Sequence, residues 1–163
     1  MLTFFCMPKP FAGHTGVIQR NAIQSWSKLH PTCEIILLGD EEGTKEVALE
    51  FGLTHVPHTD RNNCGTPLLN SIFQEAELAA TYPLLCYVNA DIILMSDFIV
   101  AAQTVISQRE WFVMSGQRWN LDVNEPLGFE PDWESQLRLR VSQCGRLYHR
   151  TGTDYYLYTK DVF

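Results

Sequence analysis

Short apolar runs alternate along this chain with stretches whose apolar positions recur every three or four residues, and that alternation predicts repeated strand–helix units. The first run, residues 2–6, is closed by Pro8-Lys9-Pro10. Gly13 and Gly16 loosen the next loop, and a helix follows with Ile18, Ala22, Trp26 and Leu29 on one face, which His30-Pro31 is expected to end. Residues 34–38 repeat the strand pattern up to Gly39-Asp40, and a helix carrying Val47, Ala48 and Phe51 runs to Gly52. A shorter strand at 53–56 stops at Pro57, and the polar loop 59–67 leads to a helix expected to bury Leu69, Ile72, Phe73, Ala76 and Ala80. A strand at 84–88, a helix from Asp97 with Phe98, Ala102, Val105 and Ile106 inward, and a buried strand at 111–115 complete the regular part.

Strands this apolar are buried on both faces, and helices between them imply parallel pairing through right-handed crossovers. The expected architecture is α/β: a three-layer α/β/α sandwich around a mostly parallel sheet. Beyond Gly116 the pattern is irregular, with a loop holding Trp119 and Asp122, a short helix at 132–141 and a last strand at 155–158. No linker or low-complexity tract divides the 163 residues, which read as one domain.

Charge and cysteines narrow the function classes. Twelve basic against 19 acidic residues leave a net charge of −7 with no basic run, which argues against a nucleic-acid partner. An anionic small ligand stays compatible, because a divalent cation held by carboxylates supplies positive charge locally. The five cysteines are odd in number and lack a Cys-x-x-Cys pair, so they read as reduced thiols of a cytoplasmic protein. The first residues have no basic leader and no segment has the length of a membrane span, so neither targeting nor a bilayer crossing is expected.

The chemistry is expected where the strand at 84–88 breaks into Asn89-Ala90-Asp91 and an apolar run resumes. Ligands of open α/β sheets bind beyond the carboxyl ends of strands. One oxygen each from Asn89 and Asp91 could turn to a shared hard cation, manganese or magnesium, in a relaxed Asp-x-Asp pattern. The alternative is that both residues cap the following helix. Other strand ends offer Lys9, Asp40, Asp60-Arg61-Asn62 and Arg118. In that arrangement Asp91 binds the metal, and Asn89 meets it through water or contacts the ribose. Lys9, Arg61 or Arg118 add charge at a diphosphate, and Asp40 accepts from a base or ribose hydroxyl. Asp154, beside Gly152 and ahead of Tyr155-Tyr156, faces sugar or acceptor, or else caps a turn. Trp119, Trp133, Tyr155 and Tyr156 could stack on a base or sugar, with core packing the alternative. A dinucleotide-binding Gly-x-Gly-x-x-Gly after the first strand and a P-loop are both missing from the sequence.

QRNAIQSW (19–26), ILLGDEEG (36–43), DRNNCGTPLLNSIF (60–73), LLCYVNADIIL (84–94) and GTDYYLY (152–158) together resemble the glycosyltransferase-like proteins related to plant KOBITO, of the GT-A, nucleotide-diphospho-sugar transferase fold. The resemblance implies a nucleotide-sugar donor bound through a metal at Asp91, with Asn89 where many relatives have Asp, and transfer of the sugar to a hydroxyl acceptor. It divides the domain into a nucleotide-sugar-binding part, 1–115, and an acceptor-side part, 116–163. Against that family the sequence, ending at Phe163, reads as short on its C-terminal side. Asp154 is then the candidate catalytic carboxylate. The alternative is a non-catalytic nucleotide-sugar-binding or assembly module. A homodimer would relieve the sheet edge that a short C-terminus leaves uncovered.

Overall fold

The structure, a computed structural model, describes residues 2–29, 33–160 and 162. Strand β1 (Leu2–Cys6) has every side chain buried, because it lies inside the sheet with helices on both sides. It is followed by α1 (Gly13–Leu29), β2 (Glu34–Leu38), α2 (Thr44–Phe51), β3 (Thr54–Val56), α3 (Leu69–Ala79), β4 (Leu84–Val88) and α4 (Ser96–Ile106). The order then loosens into β5 (Val113–Met114), β6 (Trp119–Asn120), α5 (Trp133–Cys144), β7 (Arg146–Leu147) and β8 (Tyr155–Thr159). The expected close of α1 at His30-Pro31 lies outside the described residues.

Among the described residues the main sheet has six strands in the order β3-β2-β1-β4-β8-β5. The pairs β2–β3, β1–β2 and β1–β4 are parallel, whereas β8 runs antiparallel to both β4 and β5. That reversal puts the start of β8 beside the end of β4, with Val88 opposite Tyr155, so residue 154 meets residue 89 at the carboxyl edge of the parallel strands. A second ribbon pairs β6 with β7, which the sequence pattern did not suggest.

The alternation of side chains across the strands builds two cores, as a pleat requires. Phe4, Cys6, Ile35, Leu37, Cys86, Val88 and Leu157 face α1, α2 and α4 through Ala22, Ile23, Trp26, Val47, Ala48, Phe98 and Ala102. Phe5, Ile36, Leu38, Leu85 and Tyr158 face α3 through Ile72 and Ala76. Each large side chain so buried is worth about 1.5–3 kcal/mol of transfer free energy, so the two faces set the register of the whole sheet. The three-layer α/β architecture expected from the sequence is the one found.

Some expectations need correction. The strand read at 111–115 shrinks to Val113–Met114 and is not buried: Trp111 and Val113 are exposed, because β5 is an edge paired on one side. Leu69 is exposed at the start of α3, and Ile106 at the end of α4. Among the described residues no helix is long and apolar enough to cross a membrane.

Candidate functional site

The polypeptide turns as soon as β4 ends. Ile92 N donates to Asn89 O at 3.1 Å, and the loop runs to Met95, the N-cap of α4. Asn89 and Asp91 therefore do not cap this helix, which removes the first alternative reading. Two residues of α1 hold the loop instead. Trp26 Nε1–H donates to Ile92 O at 2.8 Å, and Leu94 N donates to Ser25 Oγ at 3.1 Å. Both anchoring side chains are fully buried. The core of the first layer thus fixes the place of Asp91.

Asn89 is held from three sides. Its N–H donates to Asp154 O at 2.8 Å, its Nδ2 donates to Asp154 Oδ1 at 3.2 Å, and its Oδ1 accepts from Tyr87 Oη at 3.1 Å. Burial pushes the Tyr87 phenol up to about 12, which keeps it protonated and donating. Asp154 is itself buried, its side chain 7% exposed, and both of its oxygens accept from Arg118 Nη1, Oδ2 at 2.6 Å. The hydrogen bond to Asp154 pushes the Arg118 pKa up. Arg118 Nε donates to Asn120 Oδ1 at 2.8 Å, and the guanidinium lies over the Tyr148 ring, 3.7 Å from its centroid. The β6–β7 ribbon braces this arrangement, since Tyr148 N donates to Arg118 O and Gln117 Nε2 donates to Tyr148 O.

Asp91, Arg118 and Asp154 line one cleft of about 950 Å³ between α1, α4 and the irregular C-terminal part. His14 and Asn21 of α1, Trp119 and Asp122 also line it. Asn21 is buried and binds the far wall, its Nδ2 donating to Glu125 O at 3.0 Å and its Oδ1 accepting from Leu127 N at 2.9 Å. Of the aromatic candidates, Trp119 and Tyr155 line the cleft. Tyr156 packs near Tyr87, and Trp133 packs against Phe129.

The remaining candidates lie apart from this cleft. Arg61 Nη2 donates to Asp40 Oδ1 and to Glu41 Oε1, each at 3.0 Å, so its charge is met by two carboxylates. Lys9 is exposed, and its main chain is clasped by the buried Gln19 side chain at 2.7 and 2.9 Å. Sequence reasoning grouped Lys9, Asp40, Arg61, Asn89, Asp91 and Arg118 at the strand ends, named Asp154 as a separate candidate, and passed over Asn21, Asn120 and Tyr148; of these candidates the cleft brings together Asp91, Arg118 and Asp154. A polar residue at a buried position of an apolar helix face was the available signal for Asn21; Tyr148 carried none.

The groups around Asn89 and Asp91 do not form a ready-made cage for a divalent cation. A magnesium-type cation keeps several waters and is held by one or two carboxylates together with substrate phosphates. Here the Asn89 oxygen accepts from Tyr87 and both Asp154 oxygens accept from a guanidinium. Asp91 lines the cleft together with Asp97 and Asp122, and among the described residues no group of three His, Cys, Asp or Glu side chains could hold a metal.

Solved structures place this architecture. A nucleotide-diphospho-sugar transferase, so named provisionally, from Desulfovibrio desulfuricans G20 superposes with a TM-score of 0.55 at 10% identity, over 99% of this chain and 64% of that one. The fold is that of the nucleotide-diphospho-sugar transferases. CMP:2-keto-3-deoxy-manno-octonic acid synthetase complexed with CTP shares it with a TM-score of 0.54 at 11% identity, over 99% of this chain and 76% of that one. S. aureus TarS 1-349 in complex with UDP-GlcNAc shares it with a TM-score of 0.50 at 16% identity, over 69% of this chain. The present chain spans about a third of TarS, 33% of its length. No family model matches the sequence, and no curated protein matches it at a significant level.

Proposed function

We propose that the cleft binds a nucleotide-diphosphate sugar and that the protein transfers the sugar to a hydroxyl acceptor. The observation that carries this reading is the fixed guanidinium of Arg118 in a cleft at the carboxyl edge of parallel strands, in a nucleotide-diphospho-sugar transferase fold. A guanidinium matches the geometry of phosphate oxygens and stays charged at every physiological pH. In the reaction the bond between the anomeric carbon and the diphosphate oxygen breaks, and a bond from that carbon to the acceptor oxygen forms. The acceptor proton passes to a carboxylate or to solvent, and the nucleoside diphosphate leaves with the bonding pair. Asp91 lines the cleft and stands outside the Arg118–Asp154 pair, so this reading leaves it for the acceptor hydroxyl. Lys9, Asp40 and Arg61, on neighbouring strand ends, would meet the base and ribose where the nucleotide extends past the cleft. The kinship to KOBITO-type proteins, a cytoplasmic setting and pairing of two copies along the exposed β5 edge belong to the same proposal.

The second reading, a nucleotide-sugar-binding module without turnover, is favoured by one observation. Asp154, the carboxylate expected to act as base, has its oxygens engaged by Arg118 and Asn89 rather than open to an acceptor hydroxyl. TarS holds UDP-GlcNAc and the octonic acid synthetase holds CTP, so uridine and cytidine nucleotides come first in a test. The experiment is thermal unfolding with UDP, CDP, GDP and their sugars, followed by an assay for released nucleoside diphosphate. Binding raises the melting temperature by mass action. A shift with turnover supports the transferase, a shift without turnover selects the binding module, and no shift with any nucleotide rejects both.

A further inference from the structure

We infer that this donor site works without a resident divalent metal, the guanidinium of Arg118 supplying the positive charge against which the diphosphate binds. The inference rests on the nucleotide-sugar reading of the cleft and goes beyond it by replacing the cation that the relaxed Asp-x-Asp pattern implies.

Three arrangements lead here. The pattern's first position is a neutral amide, a weaker cation ligand than a carboxylate, with its oxygen already turned to Tyr87 Oη and its nitrogen to Asp154. The carboxylate beside it, Asp154, has both oxygens on Arg118 Nη1. Among the described residues no group of three His, Cys, Asp or Glu side chains could hold a metal.

Arg118 has what the missing donor set lacks. Its guanidinium is immobilised before any ligand arrives, by Asp154 at one nitrogen, Asn120 at another and the Tyr148 ring across its face. Nη2 is the nitrogen that neither Asp154 nor Asn120 takes, and the side chain is 28% exposed, on the cleft. A cation already oriented loses little freedom on binding, which is where preorganisation gains affinity. Beside the β6–β7 ribbon Tyr148 N donates to Arg118 O and Gln117 Nε2 donates to Tyr148 O, which ties the main chain of Arg118 to the residue whose ring covers its guanidinium.

The test is calorimetric titration of the whole protein with UDP and GDP, once in excess EDTA and once with manganese. Wild type is compared with Arg118→Lys and with the double variant Arg118→Met plus Asp154→Asn, which leaves no buried carboxylate unpaired. Melting temperatures show that the variants are folded. The expected result is the same dissociation constant in EDTA and in manganese, weakened about tenfold to a hundredfold in both Arg118 variants, the range for losing a charge-assisted hydrogen bond. Affinity that appears only with manganese would overturn the inference while leaving the nucleotide-sugar reading intact. Binding in EDTA that is indifferent to Arg118 would overturn the role of this residue. Binding in neither condition would reject the nucleotide-sugar reading, and the inference with it.

Discussion

Arg118 and Asp154, 36 positions apart, meet through Nη1 and Oδ2 at 2.6 Å across the junction between the main sheet and the β6–β7 ribbon. Asp154 is buried and Arg118 partly exposed, so the pair is neither a surface bridge of small value nor a fully desolvated one. Asp154→Ala removes the carboxylate and leaves the guanidinium, the Asn89 amide and the ribbon without their common partner. The expected cost is about 2–3 kcal/mol, below the range for breaking a fully buried pair because Arg118 keeps some water. A lowered urea midpoint with an unchanged slope checks it; a midpoint equal to that of wild type would mean that the pair does not hold the junction.

Trp26 links the core to the candidate site. Its indole is fully buried against Phe4, and its N–H donates to Ile92 O in the loop that carries Asp91. Trp26→Phe keeps an aromatic ring but loses volume and leaves that carbonyl without its donor. The expected loss is about 2–3 kcal/mol, the sum of a small cavity and an unmade buried hydrogen bond. The same variant should speed amide exchange in residues 92–94, whereas a purely local packing defect would leave exchange there unchanged.

The contrast between these two pairs explains what the sequence made legible. Strands β1, β2 and β4 were readable to the residue, because each is an unbroken apolar run buried on both faces. The position of β8 between β4 and β5 was not, since Cys86 opposite Leu157 is a pairing between distant residues that no local pattern encodes. For the same reason Arg118 and Asp154 were both readable as site candidates, while their engagement with each other was not. Asp40 and Arg61 were placed on adjacent strand ends, but the tie of Arg61 to Asp40 and Glu41 depends on side-chain geometry across β2 and β3. The reading of β5 failed because apolar content alone does not separate a central strand from an edge, and Val113 is half exposed at 47%.

Asn21 ties the wall of the cleft to α1. Its amide receives from Leu127 N and donates to Glu125 O, using both ends of the side chain on one loop. Asn21→Ala removes two part-buried hydrogen bonds, each worth about 0.5–1.5 kcal/mol. The wall also contains the buried Val123, so the loop should loosen as a unit rather than at one residue. Limited proteolysis is expected to cut within residues 121–130 several times faster in the variant than in wild type. Equal rates would show that the loop is held by other contacts.

Tyr87 gives the fold an alkaline limit. Burial raises its phenol from 10.0 to about 12, so the folded protein keeps a proton that the unfolded polypeptide releases near pH 10. The folded state binds that proton more tightly; its contribution is complete below about pH 10 and is lost as pH rises to about 12. Tyr155 and Tyr158, also pushed up by burial, act in the same direction, as do the buried thiols of Cys6, Cys33 and Cys86. The difference between wild type and Tyr87→Phe therefore isolates this residue better than the total fall does. At neutral pH the variant loses the hydrogen bond to Asn89 and should be less stable by about 0.5–1.5 kcal/mol. Between about pH 10 and 12 the gap should close, because the phenylalanine has no proton to lose. Melting curves of the two proteins across that range provide the measurement, and parallel curves would show that the Tyr87 hydroxyl is not sheltered by the fold.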